Sequence, residues 1–486
     1  MAKKAKKGSE LSITKRTDDY SQWYLDVVAA ADLAENSPVR GCMVIKPYGY
    51  ALWENIQIEI NRRFKEHDIQ NAYFPIFIPE SFIKKEAEHI EGFAPELAVV
   101  TQAGGKKLEE PLVVRPTSET IINKSFSKWI ESYRDLPYII NQWANVVRWE
   151  MRPRLFLRSS EFLWQEGHTA HATPEEARDY ALMILQKIYQ PFVEEFLAMP
   201  VLAGIKSRSE RFAGAKDTYG IEALMQDGKS LQAGTSHDLS DHFAKSFDIK
   251  YLDKDGKLQY VYQTSWGVST RLIGGLIMMH GDDNGLILPP KIAPHQVVII
   301  PIAQAASDPV AKQSVNLKRK LERKYRVHLD KRYNLRPGEK YYEWEKKGVP
   351  VRVEIGPRDL ESKAAILVRR DTGEKMTVKL VDLEKKISQA LVEIQKNLYQ
   401  QALNRREDST HRVDTWPEFA KALEKGGYVL AHWCESEECE ADIKAKVKAV
   451  SRCLTFDAKK ETGEHKCIAC GKKSPSNKRW VFAKAY

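Results

Sequence analysis

The chain has 486 residues, of which 43% are hydrophobic and 10% aromatic, so its length predicts two to four domains with hydrophobic cores. No apolar run approaches the ~20 residues that span a membrane, and the basic N-terminus is not followed by the apolar segment of a secretory signal. These features argue against a membrane-spanning or secreted protein and predict a cytoplasmic enzyme with no membrane partner. Lys and Arg exceed Asp and Glu by 76 to 66, a surplus that permits a polyanionic partner but is explained almost as well by solubility alone.

The first clear element is a helix predicted over residues 48–67. Its apolar residues recur at every fourth position, as on the buried face of an amphipathic helix: Leu52, Ile56, Ile60 and Phe64. A short apolar strand interrupted by prolines follows at residues 71–79, and prolines belong at strand ends or edges. A helix packed on its own core would show the same pattern.

A second strand is predicted to end in the segment Leu112–Thr120. Thr117 and Glu119 lie two residues apart, so on a strand their side chains point to the same face. A hydroxyl and a carboxylate in this arrangement can bind an ammonium group. The alternative is that Thr117 and Ser118 cap the helix predicted from Ile121 onward.

Residues 146–168 contain two alternating runs around a basic, proline-containing turn, which predicts an antiparallel hairpin. Arg148 and Glu150 are expected on one face of its first strand, and Arg158, Phe162 and other residues on one face of its second. The alternative is a hairpin with one solvated, charged face. Arginine, carboxylate and aromatic rings on one face suit a nucleotide, because guanidinium binds phosphate and a ring stacks on a base.

Three further segments follow in the same half of the chain. A capping box at Thr173–Glu176 begins a helix that Pro191 is expected to kink or break. Residues 211–219 and 231–237 are rich in small residues and hydrogen-bond donors, and the glycine in each permits close backbone approach to a ligand. In the segment 263–290, Ser269 and Arg271 precede an apolar, glycine-rich helix. A charged arginine at the start of such a helix needs either a bound anion or contact with solvent.

After Pro289-Pro290 the pattern changes to alternating strands and helices. Strands are predicted at 296–302, 349–355 and 364–369, and helices at 310–325 and 380–403. This alternation predicts a small α/β domain. A linker predicted at 407–410 would mark its C-terminal end.

Two short-spaced cysteine pairs lie near the end of the chain, Cys434-x₄-Cys439 and Cys467-x₂-Cys470. Without an export signal, such clustering indicates a closed, tetrahedral zinc site of four thiolates rather than disulfides. Unpaired thiols are the alternative, and Cys453 is left over.

These motifs together resemble the class II aminoacyl-tRNA synthetases. The segment 146–168 is similar to motif 2, residues 48–79 to the dimer-forming motif 1, and residues 263–290 to motif 3. The run HGDDNGLILPP at 280–290 is similar to prolyl-tRNA synthetases in particular. The short interval between motifs 2 and 3 leaves no room for the editing insertion of the bacterial type, so the chain resembles the archaeal/eukaryotic-like type.

The resemblance implies a multidomain protein of mixed α/β and α+β class. A basic disordered tail (1–17) would precede a class II catalytic domain on an antiparallel sheet (18–288), an α/β anticodon-binding domain (289–405) and a small C-terminal zinc-binding domain (406–486). It also implies a homodimer that uses ATP with Mg²⁺ to convert L-proline to prolyl-adenylate and then transfers proline to the 3′ end of tRNA(Pro).

The resemblance further implies roles for individual side chains. Arg148 and Arg271 would be catalytic. ATP would be bound by Arg148, Glu150, Arg158, Ser159, Phe162, Gln232, Thr235, Ser269 and Arg271. Proline would be bound by Thr117, Glu119, Arg148, Trp164, Glu166, His168, Phe212 and His237. Glu354, Arg358 and Asp359 would read the anticodon, and Cys434, Cys439, Cys467 and Cys470 would hold a structural Zn²⁺.

Two other functions remain open at this point. One is a related class IIa synthetase for threonine or glycine, although a threonine site needs a metal and the first domain shows no His/Cys set for it. The other is a non-catalytic, synthetase-like tRNA-binding protein. Loss of Arg148 or Arg271 would favour that function, and both residues are present.

Overall fold

The structure is a computed structural model that describes residues 12–84 and 97–486. Within these ranges no helix is both long enough and apolar enough to cross a membrane. Most of the expected disordered tail, residues 1–11, lies outside the described residues. The expectation of disorder is wrong for Thr14 and Arg16, because the Thr14 N–H donates to Asp26 and Arg16 forms an ion pair of 3.0 Å with Asp283.

Within the described residues, the N-terminal region contains four helices and six strands. It comprises α1 (Tyr20–Ala30), β1 (Ala34–Asn36), β2 (Met43–Ile45), α2 (Pro47–Lys65), β3 (Gln70–Asn71), β4 (Phe77–Pro79), α3 (Glu80–Lys84), β5 (Ala98–Ala103), β6 (Lys106–Val114) and α4 (Glu119–Trp129). The helix predicted at 48–67 is confirmed as α2, and its apolar stripe is buried. The strand predicted at 71–79 is wrong in extent, because the prolines leave only the short strands β3 and β4.

The central region is built around a long sheet. Its elements are β7 (Tyr138–Val147), β8 (Glu161–His171), α5 (Pro174–Met183), β9 (Val201–Ile205), β10 (Asp217–Leu224), β11 (Ser230–Ser240), α6 (His242–Phe247), β12 (Lys250–Leu252), β13 (Leu258–Tyr260), β14 (Tyr262–Ser269) and α7 (Arg271–His280). Thr173 caps α5 as predicted. Beyond α5 the chain continues in π-helical turns at Ile184–Tyr189 and Phe192–Phe196, on either side of Pro191.

The glycine-rich helix α7 is buried along its whole length against this sheet. A side chain at Gly274 would place its Cβ 2.5 Å from Leu157, and one at Gly275 would lie 2.7 Å from Leu231. The two glycines are therefore needed for the close packing of the helix.

The next region is the predicted α/β domain. It comprises β15 (Val297–Pro301), α8 (Pro309–Leu321), β16 (Val327–Leu329), α9 (Pro337–Lys346), β17 (Val351–Ile355), α10 (Pro357–Glu361), β18 (Ala364–Arg369), β19 (Lys375–Lys379) and α11 (Leu383–Asp408). The strands form a sheet in the order β16-β15-β17-β18-β19, in which β15 is parallel to both neighbours. The linker predicted at 407–410 is wrong, because α11 continues to Asp408 and a strand begins at Thr410.

The C-terminal region contains β20 (Thr410–Arg412), α12 (Trp416–Lys425), β21 (Tyr428–His432), α13 (Glu437–Val447), β22 (Val450–Thr455) and β23 (Arg479–Ala483). Its strands continue the central sheet, giving eleven strands in the order β20-β21-β23-β22-β9-β10-β11-β14-β8-β7-β3. The two parts join where β22 pairs with β9. Gly204 permits this approach, because a Cβ there would lie 2.3 Å from the Leu454 carbonyl oxygen.

Candidate active site

A cavity of about 480 Å³ opens on one face of the central sheet. Every side chain that the sequence predicted to bind ATP or proline lines this cavity. The residues come from the loop before α4 and the start of α4, from the β7–β8 loop, from β8, from the loop before β10, from β11 and β14, and from the start of α7. The fold thus gathers residues that are distant in sequence at one place.

Strand β8 supplies one wall of the cavity. Phe162, Trp164, Glu166 and His168 alternate along it and face the cavity together, as predicted. Gly167 faces the other side, where its lack of a side chain leaves room for the Trp266 ring; a Cβ would lie 2.0 Å from that ring.

The loop between β7 and β8 carries the cationic residues of the hairpin. The expectation that Arg148, Glu150 and Arg158 lie on strands is wrong, because β7 ends at Val147 and β8 begins at Glu161. The loop is closed by backbone bonds, among them one of 2.8 Å from the Arg148 N–H to the Ser160 carbonyl. These residues still line the cavity, but they do so from a turn.

Arg148 lies between the two ends of the cavity. Its Nε donates to the Pro116 carbonyl at 2.9 Å. Its guanidinium lies 5.6 Å from the Phe162 ring centre and 5.3 Å from that of Trp164. The backbone bond and the two rings fix the direction of the guanidinium before any ligand binds.

One end of the cavity is cationic. Arg271 begins α7, and its Nε donates to the Leu157 carbonyl at 3.3 Å. Burial, together with the charges of Arg148 and Arg158, lowers the pKa of Arg271 to about 10. Three cations that repel one another favour binding of a polyanion, because an anion relieves the repulsion.

The other end of the cavity holds buried carboxylates. Thr117 and Glu119 are hydrogen-bonded to each other. Glu166 accepts hydrogen bonds from the Ser118 hydroxyl at 2.6 Å and the Gln142 amide at 2.8 Å. Because the Ser118 side chain makes no capping bond to α4, the predicted alternative of a Ser118 cap is wrong.

Glu166 also pairs with His168 at 3.1 Å. Burial alone would raise the pKa of Glu166, but hydrogen bonds from His168, Ser118 and Gln142 hold it below its usual value. Burial would likewise lower the pKa of His168, but Glu166 and the charge of Glu119 hold it above its usual value. The contact therefore favours the ionised form of both partners, which together are neutral, and the neighbouring Glu119 carboxylate is the group at this end that suits an ammonium ion.

Aromatic side chains close the region next to the carboxylates. The rings of Phe212 and His237 lie 4.6 Å apart. His237 is held through Nδ1 by the Thr218 hydroxyl at 3.0 Å, and burial lowers its pKa to about 4, so the ring is neutral at neutral pH. With Trp164 these rings form an apolar wall suited to a small aliphatic ring.

Three side chains that hold cavity residues in place were not among the predicted site residues. Ser118 and Gln142 orient Glu166, and Thr218 orients His237. Thr218 lies opposite His237 in the β10–β11 register, a cross-strand pairing that alternation along one strand does not reveal. Among the described residues, the buried side-chain atoms Ser159 Oγ, Trp164 Nε1 and Ser265 Oγ have no hydrogen-bond partner and remain available to a ligand.

The four predicted zinc ligands lie together in the C-terminal region. Their sulfur atoms are all within 4.8 Å of one another, with 3.6 Å between Cys439 and Cys467 and 3.5 Å between Cys434 and Cys470. The cysteines are not disulfide-bonded. Four converging thiols fit a tetrahedral zinc site with no open position, which would be structural.

A second group of potential metal ligands was not predicted: His432, Glu461 and His465. Arg412 and Arg479 both donate to Glu461, and the hydrogen bonds from Arg479 and His432 hold the pKa of that carboxyl at about 2. Because guanidinium groups already neutralise the carboxylate, this group is an ion network rather than a metal site.

The predicted anticodon residues lie on the α/β domain. Glu354 is buried on β17 and accepts from Arg352 at 2.8 Å. Asp359 caps α10 by accepting from the Gly356 N–H at 2.8 Å. Arg358, on the same short helix, is exposed. Two of the three are therefore engaged within the domain, and Arg358 is the one that faces solvent.

Three family models match successive parts of the chain. They describe the tRNA synthetase class II core domain for G, H, P, S and T at residues 101–280, an anticodon binding domain at 296–390 and the C-terminal domain of prolyl-tRNA synthetase at 416–486.

Relatives that match this chain over its whole length are proline–tRNA ligases. Proline–tRNA ligases from Chlorobaculum tepidum and Natranaerobius thermophilus are 56% and 53% identical, over 98% of this chain and 99% and 98% of their own lengths. The one from Alkaliphilus oremlandii is 54% identical over 100% of both chains. A crystal structure of prolyl-tRNA synthetase from Cryptosporidium parvum, complexed with halofuginone and AMPPNP, is 42% identical, covers 98% of each chain and superposes with a TM-score of 0.93.

Proposed function

The chain belongs to the prolyl-tRNA synthetase family of class II aminoacyl-tRNA ligases, and we propose how its cavity carries out the reaction of that family. Proline and ATP form prolyl-adenylate and pyrophosphate, and proline then passes to the terminal adenosine of tRNA(Pro). The observation that carries the site assignment is the division of one cavity into a cationic end around Arg271 and a carboxylate end around Glu119 and Glu166.

No protein nucleophile is required in this mechanism. An oxygen of the proline carboxylate attacks the α-phosphorus, and the bond from that phosphorus to the bridging oxygen breaks as pyrophosphate leaves. The protein contributes positioning and charge neutralisation. Arg148, fixed between the two ends, would bridge the carboxylate and the α-phosphate.

The cationic end would hold ATP. Arg158 and Arg271 would bind its phosphates, and Phe162 and Arg271 would enclose the adenine. Glu150 would accept from the exocyclic amine. The remaining polar contacts would come from Ser159, Thr235 and Ser269.

Mg²⁺ fits this end through the amide oxygen of Gln232, because Mg²⁺ bound to a nucleotide takes few protein ligands and completes its shell with phosphates and water. When bound it would neutralise phosphate charge. Glu222, on the neighbouring strand, is excluded as a ligand because it is already paired with Lys206 and Arg452.

The carboxylate end would hold proline. Thr117 and Glu119 would bind its secondary ammonium, with Glu166 and His168 behind them. Trp164, Phe212 and His237 would surround the ring. In the part of the chain that the structure describes, neither group of potential metal ligands lies in this cavity, which argues against a threonine site that needs a metal.

We extend the proposal to the rest of the chain. The domain limits would be 18–288, 289–405 and 406–486, supported by the spans of the three family models. The C-terminal domain would hold one Zn²⁺ on its four cysteines, and Arg358 with Glu354 and Asp359 would contact the anticodon. The enzyme would act in the cytoplasm, where tRNA is charged.

A homodimer would form through the region similar to motif 1. Its helix α2 leaves Ile58 67% exposed and Tyr50 40% exposed. Large apolar side chains on an otherwise amphipathic helix suit a second copy of the chain.

Amino-acid-dependent ATP–pyrophosphate exchange, measured with each of the twenty amino acids, tests the central proposal. We expect exchange with proline far above the others. Preferential exchange with threonine or glycine would assign a different class IIa specificity. Binding of tRNA without any exchange would identify a non-catalytic protein.

A further inference from the structure

A buried carboxylate of the C-terminal region is surrounded by serines. Glu440 lies on α13 and is 3% exposed. Its Oε1 accepts from the Ser207 hydroxyl at 3.2 Å and from the Ser451 N–H at 3.1 Å, and the Ser451 hydroxyl donates to the same oxygen. Its Oε2 accepts from the Ser209 hydroxyl. A glutamate on a helix is seldom buried, and when it is, its oxygens are hydrogen-bonded as they are here.

The serines around this carboxylate come from two regions of the molecule. Ser451 lies on β22, in the same region as Glu440, and its two hydrogen bonds fix the direction of the carboxylate. Ser207 and Ser209 lie in the segment of residues 206–216, which connects β9 to β10 and is called the 206–216 loop below. The carboxylate therefore ties this loop of the central region to the C-terminal region.

The 206–216 loop contains no helix or strand, so its position depends on individual contacts. At its first residue, the Lys206 N–H donates to the Thr218 carbonyl at 2.8 Å. Farther along, the Glu210 carboxylate lies 3.8 Å from the guanidinium of Arg452, another residue of the C-terminal region. Together with the two serines, Glu210 makes the first half of the loop a contact surface for that region.

The residues that follow in the loop line the cavity. Arg211 and Phe212 both do so, and Phe212 comes three residues after Ser209. The Phe212 N–H donates to the Thr218 hydroxyl at 3.0 Å, the same hydroxyl that holds His237. The Phe212 and His237 rings lie 4.6 Å apart, so the place of the loop sets one side of the aromatic wall.

We propose that Glu440 is a positioning residue for the amino acid: it fixes the 206–216 loop and thereby places Phe212 at the carboxylate end of the cavity. The C-terminal region thus affects recognition of the amino acid, although none of its described side chains lines the cavity. The inference rests on the proposed assignment of proline to this end.

The test measures KM for proline and KM for ATP in ATP–pyrophosphate exchange, using full-length variants. Glu440→Ala removes the acceptor of both loop serines, so we expect KM for proline to rise several-fold with KM for ATP unchanged. Glu440→Gln keeps Oε1 as an acceptor, and its amide can donate to the Ser209 hydroxyl, so it should restore most of the proline affinity. Metal content is measured in parallel because Cys439 precedes Glu440, and it should equal that of the wild type.

A loop-side variant tests the same contact without changing α13. Ser207→Ala combined with Ser209→Ala should also raise KM for proline, and this variant decides if Glu440→Ala does not fold or loses metal. Adding Glu440→Ala to it should have little further effect, because both changes remove the same contact. Glu437→Ala is the matched control, an exposed glutamate of the same helix, and both of its KM values should stay as in the wild type.

An unchanged KM for proline in a folded, metal-containing Glu440→Ala variant, or in the loop-side variant, would overturn the proposal. So would an equal rise in both KM values, additive effects of the helix and loop changes, or a Glu440→Gln variant as impaired as Glu440→Ala. Absence of proline-dependent exchange in the wild type would instead overturn the proposed function, so the two failures are distinguishable.

Discussion

At the scale of single residues, Arg148 is held in the cavity by a backbone carbonyl and two aromatic rings. Arg148→Ala should lower the rate of pyrophosphate exchange by about 10²-fold or more, because one preorganised charge contact to the transition state is lost. Circular dichroism and tRNA binding should be unchanged. Arg152→Ala, an exposed arginine of the same loop, is the control. Near-normal exchange in Arg148→Ala would contradict its assigned role.

The Glu166–His168 pair predicts a pH dependence. In the wild type the pKa of Glu166 is held low by its hydrogen bonds, so the carboxylate stays ionised as the pH falls. His168→Gln removes the charged partner, which raises the pKa of Glu166 and makes it take up a proton at higher pH. KM for proline should therefore begin to rise at a higher pH in the variant than in the wild type.

His171→Gln is the control for this pH profile. His171 lies on the same strand and is also buried, but its partner is the Thr169 hydroxyl rather than a carboxylate, and burial lowers its pKa to about 4. Its proline profile should follow that of the wild type. Superimposable profiles for His168→Gln and the wild type would show that the pair has no part in binding proline.

The sequence predicted the side chains that line the cavity better than it predicted the hydrogen-bond partners that hold those side chains in place. Thr117, Glu119 and the alternating residues of β8 follow from local patterns. Gln142 and Thr218 reach their partners across strand pairs, and local periodicity does not reveal which strand lies beside which. Ser118 was ambiguous because a serine before a helix suits a cap and a carboxylate partner equally.

At the scale of structural elements, the cysteine site predicts the effect of losing a metal. Cys467→Ser should release about one Zn²⁺ per chain and lower the thermal midpoint, because a closed four-thiolate site contributes its binding energy to folding. Metal analysis and thermal melting measure both effects. Cys453→Ala, which removes a buried thiol outside the site, should keep the metal. A metal-free protein with oxidised cysteines would contradict the assignment.

The exposed position of Arg358 on the short helix α10 predicts that adenylate formation and transfer of proline to tRNA can be separated by mutation. Arg358 faces solvent there, far along the chain from the cavity residues, and tRNA contacts through arginine weaken as salt rises. Arg358→Ala should lower charging of tRNA(Pro) and the salt dependence of tRNA binding, while pyrophosphate exchange stays unchanged. Equal loss of both activities would mean that Arg358 supports the fold instead.

The ends of elements were predicted less well than their existence, and α11 shows why. Its sequence loses apolar periodicity near residue 403, yet the helix continues to Asp408. Arg405 and Arg406 donate to the carbonyls of Met279 and Val201, at 2.8 Å and 3.0 Å. Contacts with distant residues thus extend the helix beyond the point that its own sequence indicates.

At the scale of the whole molecule, the chain between Glu166 and Ser265 is fully used by the central sheet and its helices, which leaves no separate domain there. A pocket for proline rejects smaller amino acids by only ~1–3 kcal/mol per missing methylene. We therefore expect measurable pyrophosphate exchange with alanine and cysteine. Preformed Ala-tRNA(Pro) should not be hydrolysed faster with the enzyme than without it; rapid deacylation would reveal an editing site.

The sequence divided the molecule into three regions but did not show that the first and the last share one sheet. Apolar residues mark β21 and β23 within their own segments. The pairing of β22 with β9 depends instead on Gly204 and on the shape of two strand edges that are distant in sequence. Alternation along a single strand does not predict such a pairing.

The shared sheet also has a consequence for synthesis of the protein on the ribosome. The edge of β9 is complete only after β22 has emerged, and roughly tens of seconds separate the two at the usual rate of chain elongation. During that time the nascent central region presents an open strand edge to other chains, which is a hazard for aggregation. Premature termination before residue 450 would leave this edge permanently open, so truncated products should be cleared by proteases and chaperones rather than persist as partly active enzyme.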